Sequence, residues 1–167
     1  IRTVTVPHVI EESSEVPAKI DLPLDLDDKF VIFAMSQWSQ RKGFDKLIQA
    51  FASELGTKED CMLIIKTYES PGYDINRIQQ EVKYFKNSIY KPSKEKKQNN
   101  IILIPGFMPQ QNISWLHKKS DIFCSLSKGE GFGLPTSEAL INEKPVIVPK
   151  EGGHVDYINP EAAFYVD

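Results

Sequence analysis

The sequence is short of several things, and each shortage excludes a class. It has two cysteines in 167 residues, Cys61 and Cys124. Both sit inside apolar runs, so they read as buried reduced thiols and not as a stapling disulfide. No run of about 18 apolar residues occurs, which excludes a membrane-spanning helix. The opening stretch IRTVTVPHVIEE lacks the basic-then-apolar pattern of a secretory leader. Positive charge is not in excess: 20 Lys and Arg stand against 23 Asp and Glu, a net charge of −3. Nucleic acid is therefore not an expected partner. His8, His117 and His154 share no metal-ligand spacing with the cysteines, which argues against zinc. Asp25-Leu26-Asp27 has a metal-binding look but precedes the first apolar run, and reads as solvated linker. What is present, 41% hydrophobic and 26% charged residues, is ordinary globular composition. A chain of this length buries roughly 70% of its unfolded surface, enough for a full core. A cytoplasmic domain is the expectation.

Apolar runs alternate with helical periods along the chain. Phe30-Val31-Ile32-Phe33-Ala34-Met35 reads as a strand buried on both faces. Phe44, Leu47, Ile48, Phe51 and Leu55 follow as a helical stripe that Gly56 would stop. Cys61-Met62-Leu63-Ile64-Ile65 is a second strand, and after the Pro71-Gly72 turn Ile75, Ile78, Val82, Phe85 and Ile89 form a second stripe. Residues 91–100 are charged and broken by proline, a solvated loop. Four further runs, Ile101–Ile104, Ile122–Leu126, Pro145–Val148 and Ala162–Val166, enclose helical segments near Asn112–Lys118 and Leu134–Asn142. This repetition predicts an α/β domain, a doubly wound parallel sheet with helices on both faces, over residues 30–167. Residues 1–29 read as a linker or the edge of a missing N-terminal domain. The strand-like ending Phe164-Tyr165-Val166-Asp167, with no closing helix, reads as a truncation.

In open parallel sheets the ligand crevice lies beyond the carboxyl ends of the strands, and three segments fall there. Ser36-Gln37-Trp38-Ser39-Gln40-Arg41-Lys42-Gly43 sets two cations beside a glycine at a helix start, where anions are favoured. As a polar turn alone it would need no ligand. Ser127-Lys128-Gly129-Glu130-Gly131-Phe132-Gly133-Leu134 leads into a helix carrying Glu138. Its alternate glycines let backbone amides approach a ligand closely. It is not the G-x-G-x-x-G of dinucleotide folds. Glu130 precedes the helix and Glu138 lies on it, so the two address different ends of one ligand. Pro145–Val148 runs into Glu151-Gly152-Gly153-His154-Val155-Asp156, in which His154 and Asp156 read equally well as ordinary polar loop residues.

Taken in order, the stretches RKGFDKLIQAF, CMLIIK, IILIPGF, SDIFCSLSKGEGFGLPTSEAL and PVIVPKEGGHVDYI resemble the C-terminal, nucleotide-sugar-binding half of GT-B glycosyltransferases, in the retaining group called glycosyl transferases group one, or family four. The resemblance runs from about Phe30 to the end, and its most specific part is the pair of glutamates embedded in EGFGLPTSEAL.

That resemblance implies a retaining transferase, of hexosyltransferase type, moving sugar from a nucleotide diphosphate sugar to a hydroxyl acceptor. It implies that Glu138 holds the donor's ribose hydroxyls and Glu130 faces the transferred sugar. The amides of Gly131, Phe132, Gly133 and Leu134 would bind sugar hydroxyls and the distal phosphate, with Gly153 on the adjoining loop. Lys42 matches the lysine of the diphosphate clamp, but the clamp's arginine aligns with neutral Gln37, and Arg41 is the candidate to replace it. The base would lie near Lys66 and Thr67, which replace a usual glycine, and near Phe107 and Met108. No cofactor and no metal are implied. The implied partner is an N-terminal acceptor-binding domain of the same protein, so this fragment would bind donor without turning over. Membrane contact of the full-length protein stays open. A non-catalytic nucleotide-binding or interaction domain on the same scaffold is the alternative, which Gln37 feeds. A phosphorylase or a nucleotide-sugar epimerase is a more distant one. The base, sugar, acceptor and oligomeric state carry no readable code, and Trp38 and Trp115 read as core or rim.

Overall fold

A computed structural model of the chain describes residue 10 and residues 16–23, 25–88 and 100–167. His8, Glu11, Glu12, Ile89 and all but Asn100 of the expected loop at 91–100 lie outside the described residues. The elements are β1 (Phe30–Gln37), α1 (Phe44–Glu54), β2 (Cys61–Tyr68), α2 (Ile75–Ser88), β3 (Ile101–Pro105), α3 (Gln110–Lys119), β4 (Ile122–Cys124), α4 (Leu134–Ile141), β5 (Val146–Pro149) and β6 (Ala163–Val166). The strands form one parallel sheet in the order β3-β2-β1-β4-β5-β6. The expected doubly wound α/β architecture is present.

Alternation along the central strands explains why both faces are covered. Val31, Phe33, Met62 and Ile64 point into one apolar cluster, which Leu116 of α3 and Ala139 of α4 close. Ile32, Ala34, Leu63 and Ile65 point the other way, onto Phe44, Leu47, Ile48 and Phe51 of α1 and Ile78 of α2. Strands with apolar residues at every position are what a two-faced parallel sheet requires. Trp38 belongs to the second cluster: its ring stacks on Phe44 at 4.7 Å, and its Nε1–H donates to Glu81 at 2.9 Å. Trp115 packs partly buried against the first. Cys124 is buried and Cys61 only half-buried, and neither is in a disulfide.

Three departures from the sequence-based expectation matter for the site. First, β1 and β2 run beyond their apolar residues, because the parallel ladder continues through Ser36↔Thr67 and Gln37↔Tyr68. Gln37, Lys66 and Thr67 therefore sit on strands, not in loops. Second, β4 stops at Cys124 and pairs with β1 through Ile32↔Ile122 and Phe33↔Phe123 alone. The chain after it is released toward the carboxyl end of the sheet. Third, part of the segment before β1 packs on the domain: Leu26 is buried in the first cluster, with Ile20 and Leu22 against it. Asn112 of α3 also donates to the Ala18 carbonyl at 2.8 Å. Asp25 and Asp27 stay exposed, and Asp27 pairs with Lys119 at 2.8 Å. Among the described residues no helix is long and apolar enough to cross a membrane.

Candidate functional site

The strand order reverses direction between β1 and β4. At such a switch point the two following connections leave on opposite faces and a crevice opens between them. A cleft of about 1090 Å³ lies here, lined by Lys42, Lys66, Phe107, Met108, Glu130 and the turn Phe132-Gly133-Leu134, among others.

The β1–α1 connection delivers the cations. A short 3-10 turn over Gln40–Lys42 ends at Gly43, whose φ of +70° is left-handed. A Cβ at Gly43 would lie 2.2 Å from the Leu126 carbonyl oxygen, so glycine is demanded by both backbone and neighbour. The close approach brings Lys42 against the β4–α4 loop. There its ammonium bonds Glu130 Oε1, with both side chains largely buried. Arg41 turns to the same loop from the solvent side: its guanidinium donates to the Gly129 carbonyl and lies 3.9 Å from Glu130 Oε2. Neighbouring residues thus converge on one carboxylate. Gln37 does not join them; its amide is directed at the Glu69 carbonyl, 3.5 Å away.

The β4–α4 loop is held from behind. Gly153 N–H donates to the Glu130 carbonyl at 3.0 Å. A Cβ on Gly153 would fall 1.6 Å from the Gly131 oxygen, so only glycine lets the two loops meet. The Tyr157 hydroxyl shares its proton between the carbonyls of Phe132 and Gly133, at 2.8 and 3.1 Å, while its ring packs on Phe132. Burial pushes this phenol up to about 12. Gly133, at φ +84°, then opens α4, so the first turn of that helix faces the cleft.

At the other end of the cleft, Lys66 is nearly inaccessible, and its ammonium donates to the carbonyls of Thr67, at 3.1 Å, and Gly106. Burial holds its pKa below the usual lysine value. Phe107 beside it is 93% exposed, an aromatic face with little protein against it. Thr67, by contrast, is sealed into the sheet, with its hydroxyl donating to the Ser36 carbonyl at 2.8 Å. Its side chain does not line the cleft.

Glu138 lies on α4, half-buried, and desolvation raises its pKa. Its Oε2 is 3.9 Å from Nε2 of His117, a fully buried imidazole on α3 that burial, helped by the charge of Lys144, drives down to about 4. His117 is neutral at physiological pH, so the contact is not an ion pair. From spacing alone His117 is weighed only as a metal ligand. A usable signal is its place four residues after Ile113 and beside Leu116, on the apolar face of its helix. His154 is more than an ordinary loop residue. It is buried, and Nε2 meets the Pro149 carbonyl at 2.7 Å, tying the Gly152–Asp156 turn to β5. Tyr157 leaves no signal in the sequence. No cluster of His, Cys, Asp and Glu suited to a metal occurs among the described residues.

Residues 19–167 match the family model described as "Glycosyl transferases group 1". No curated protein matches the chain. Among solved structures, the C-terminal domain of a glycosyl transferase group 1 family protein (LpcC) from Francisella tularensis superposes with a TM-score of 0.65 at 22% identity, over 91% of this chain and 69% of that one. A UDP-forming α,α-trehalose-phosphate synthase from Burkholderia xenovorans gives a TM-score of 0.68 at 13% identity, over 84% and 34% of the two chains. A trehalose-6-phosphate protein from E. coli, solved with UDP-2-fluoro glucose, gives 0.60 at 11% identity, over 78% and 32%. The chain spans about a third of the two trehalose-phosphate proteins. At these identities the superpositions speak for the fold.

Proposed function

The chain belongs to the glycosyl transferases group 1 family, and from that premise we propose that it forms the donor-binding half of a retaining glycosyltransferase. Its ligand is a nucleotide diphosphate sugar, bound in the cleft at the β1/β4 switch point. The observation that carries this reading is the meeting of Lys42, Glu130 and the N-terminus of α4 at one point of that cleft. A diphosphate is the ligand that a lysine and a helix N-terminus jointly favour. Glu130 is the acidic group beside them, assigned in this reading to the sugar hydroxyls.

In the proposed reaction the bond from the anomeric carbon to the diphosphate breaks and an acceptor hydroxyl oxygen bonds on the same face, its proton passing to the departing diphosphate. The electrostatic requirement is to stabilise charge growing on the leaving phosphate. Lys42 supplies a compact cation, and the first amides of α4 supply oriented donors. Glu138 accepts from the two ribose hydroxyls, a pairing suited to a carboxylate's two oxygens. Lys66 and Phe107 border the base. The acceptor is held by a partner domain of the same protein, so turnover requires both. No metal takes part in this reading.

One observation favours a second reading. Gln37 is neutral and turned toward Glu69, so the diphosphate clamp lacks the strand-borne cation that the family resemblance implies. A domain that binds nucleotide without transferring sugar would tolerate that. The test is thermal-shift and calorimetric titration with UDP, GDP, ADP and CDP, on the wild type and on Glu138→Ala. The donor reading expects one diphosphate to stabilise the protein and the effect to vanish in Glu138→Ala. Silence toward all four at millimolar ligand, with the partner domain present, refutes it. Binding without transfer from the corresponding nucleotide sugar, again with the partner domain present, selects the second reading.

A further inference from the structure

We infer that His117 is a positioning residue for Glu138, a buried imidazole whose Nε2–H serves the carboxylate and sets the rotamer that meets the donor's ribose. The inference rests on the proposed role of Glu138. It begins from an anomaly: His117 is 1% exposed, and neither ring nitrogen has a hydrogen-bond partner among the described residues. A buried donor left unpaired is costly, so such groups call for an explanation. The ring is packed on two sides: Phe33 lies edge-on at 5.0 Å and Phe123 is tilted against it at 5.7 Å. The end of its helix is closed by Ser120, which donates to the His117 carbonyl at 2.8 Å. The carboxylate that approaches Nε2 is that of Glu138, whose Oε2 is 3.9 Å away. That distance is longer than a hydrogen bond. For the pairing to form, the gap has to close through the half-buried Glu138 side chain, since the imidazole is packed between two phenyl rings. The other charged group bearing on the ring is Lys144, which follows α4 and opposes protonation.

A rigid donor behind a partly exposed carboxylate does what the carboxylate's own helix cannot. It holds one oxygen from the protein side and leaves the remaining lone pairs to two vicinal hydroxyls. An ordinary core histidine would have no such consequence for a ligand it never touches.

The experiment uses the full chain and the best binder among UDP, GDP, ADP and CDP, together with its 2′,3′-dideoxy counterpart. His117→Phe keeps an aromatic ring of similar size without a donor. It is expected to weaken the ribonucleotide about tenfold, the scale of one hydrogen bond to a charged group, and to leave the dideoxy nucleotide unchanged. Glu138→Ala separates the two claims. If it weakens ribo and dideoxy ligand equally or neither, or no diphosphate binds the wild type, the ribose role of Glu138 falls and this inference with it. If it weakens the ribo ligand alone while His117→Phe weakens both ligands equally or neither, the inference alone falls. Should His117→Phe not fold, ring ¹⁵N shifts of the wild type decide. The Nε2–H tautomer, with a shift that responds to Glu138→Gln, is expected; the Nδ1–H tautomer overturns the inference.

Discussion

Acid should destabilise this domain through one identifiable residue. His117 is driven down to about 4 by burial from an ordinary value of 6.5. Between those values the unfolded chain binds a proton that the folded chain refuses. The associated stability is therefore complete above pH 6.5 and is lost progressively as pH falls toward 4. From about pH 7.5 to about pH 5 the loss amounts to about 2 kcal/mol, approaching about 3 kcal/mol near pH 4. Glu138 works the other way, because its raised pKa makes the folded state the better proton acceptor; that offset is common to the wild type and His117→Phe and cancels in their comparison. The assay is urea unfolding at the two pH values for the wild type and His117→Phe. The wild type should lose about 2 kcal/mol more than the variant on acidification. At neutral pH the variant should stay within about 1 kcal/mol of the wild type, since the exchange also removes two unsatisfied nitrogens. Equal losses in both proteins would refute the reasoning.

Gly153→Ala forces a Cβ onto the backbone oxygen of Gly131. It should cost about 1–3 kcal/mol in thermal or urea unfolding and abolish nucleotide stabilisation, whereas an unchanged melting temperature would mean that the two loops are not in contact. Lys42→Met should weaken diphosphate binding about tenfold or more by calorimetry. Glu130→Gln should not weaken it, because it releases the Lys42 ammonium from its present partner; a matching loss in both variants would make Glu130 a ligand of the diphosphate itself. With iodoacetamide, native protein should be labelled at Cys61 ahead of Cys124, whose thiol burial pushes up to about 12; mass spectrometry of the labelled peptides reads the order.

Fold and site differ in how far the sequence makes them legible, and for physical reasons. Strand–helix alternation is visible because the central strands are apolar on both faces and the α1 stripe keeps its period through Phe44, Leu47, Ile48 and Phe51. Strand ends are not. Ser36 to Gln37 and Lys66 to Tyr68 remain in the ladder by backbone pairing, to which hydropathy is blind. The glycine turn stands out because Gly153 sits where backbone meets backbone and Gly133 takes a left-handed φ of +84°, two demands that glycine meets best. The residues that brace this turn, Tyr157 and His154, act on carbonyls across the fold. No spacing in the chain could announce them. His117 is hidden for a related reason: its partner on α4 is 21 residues away in the chain and meets it only after both helices dock on one face.

The grip of Tyr157, Gly153 and Arg41 on the β4–α4 loop has a consequence for its polarity. Each of them takes a carbonyl: Gly129, Glu130, Phe132 and Gly133 all present oxygen to a protein donor. The described residues contain no cis peptide, and a trans peptide sets its oxygen and its N–H on opposite sides. The amides of Glu130, Gly131, Gly133 and Leu134 are thereby turned away from those partners. The loop's carbonyl edge is taken up by a tyrosine and a glycine behind it and by an arginine on its solvent side, so its polarity is fixed by the protein before any ligand arrives.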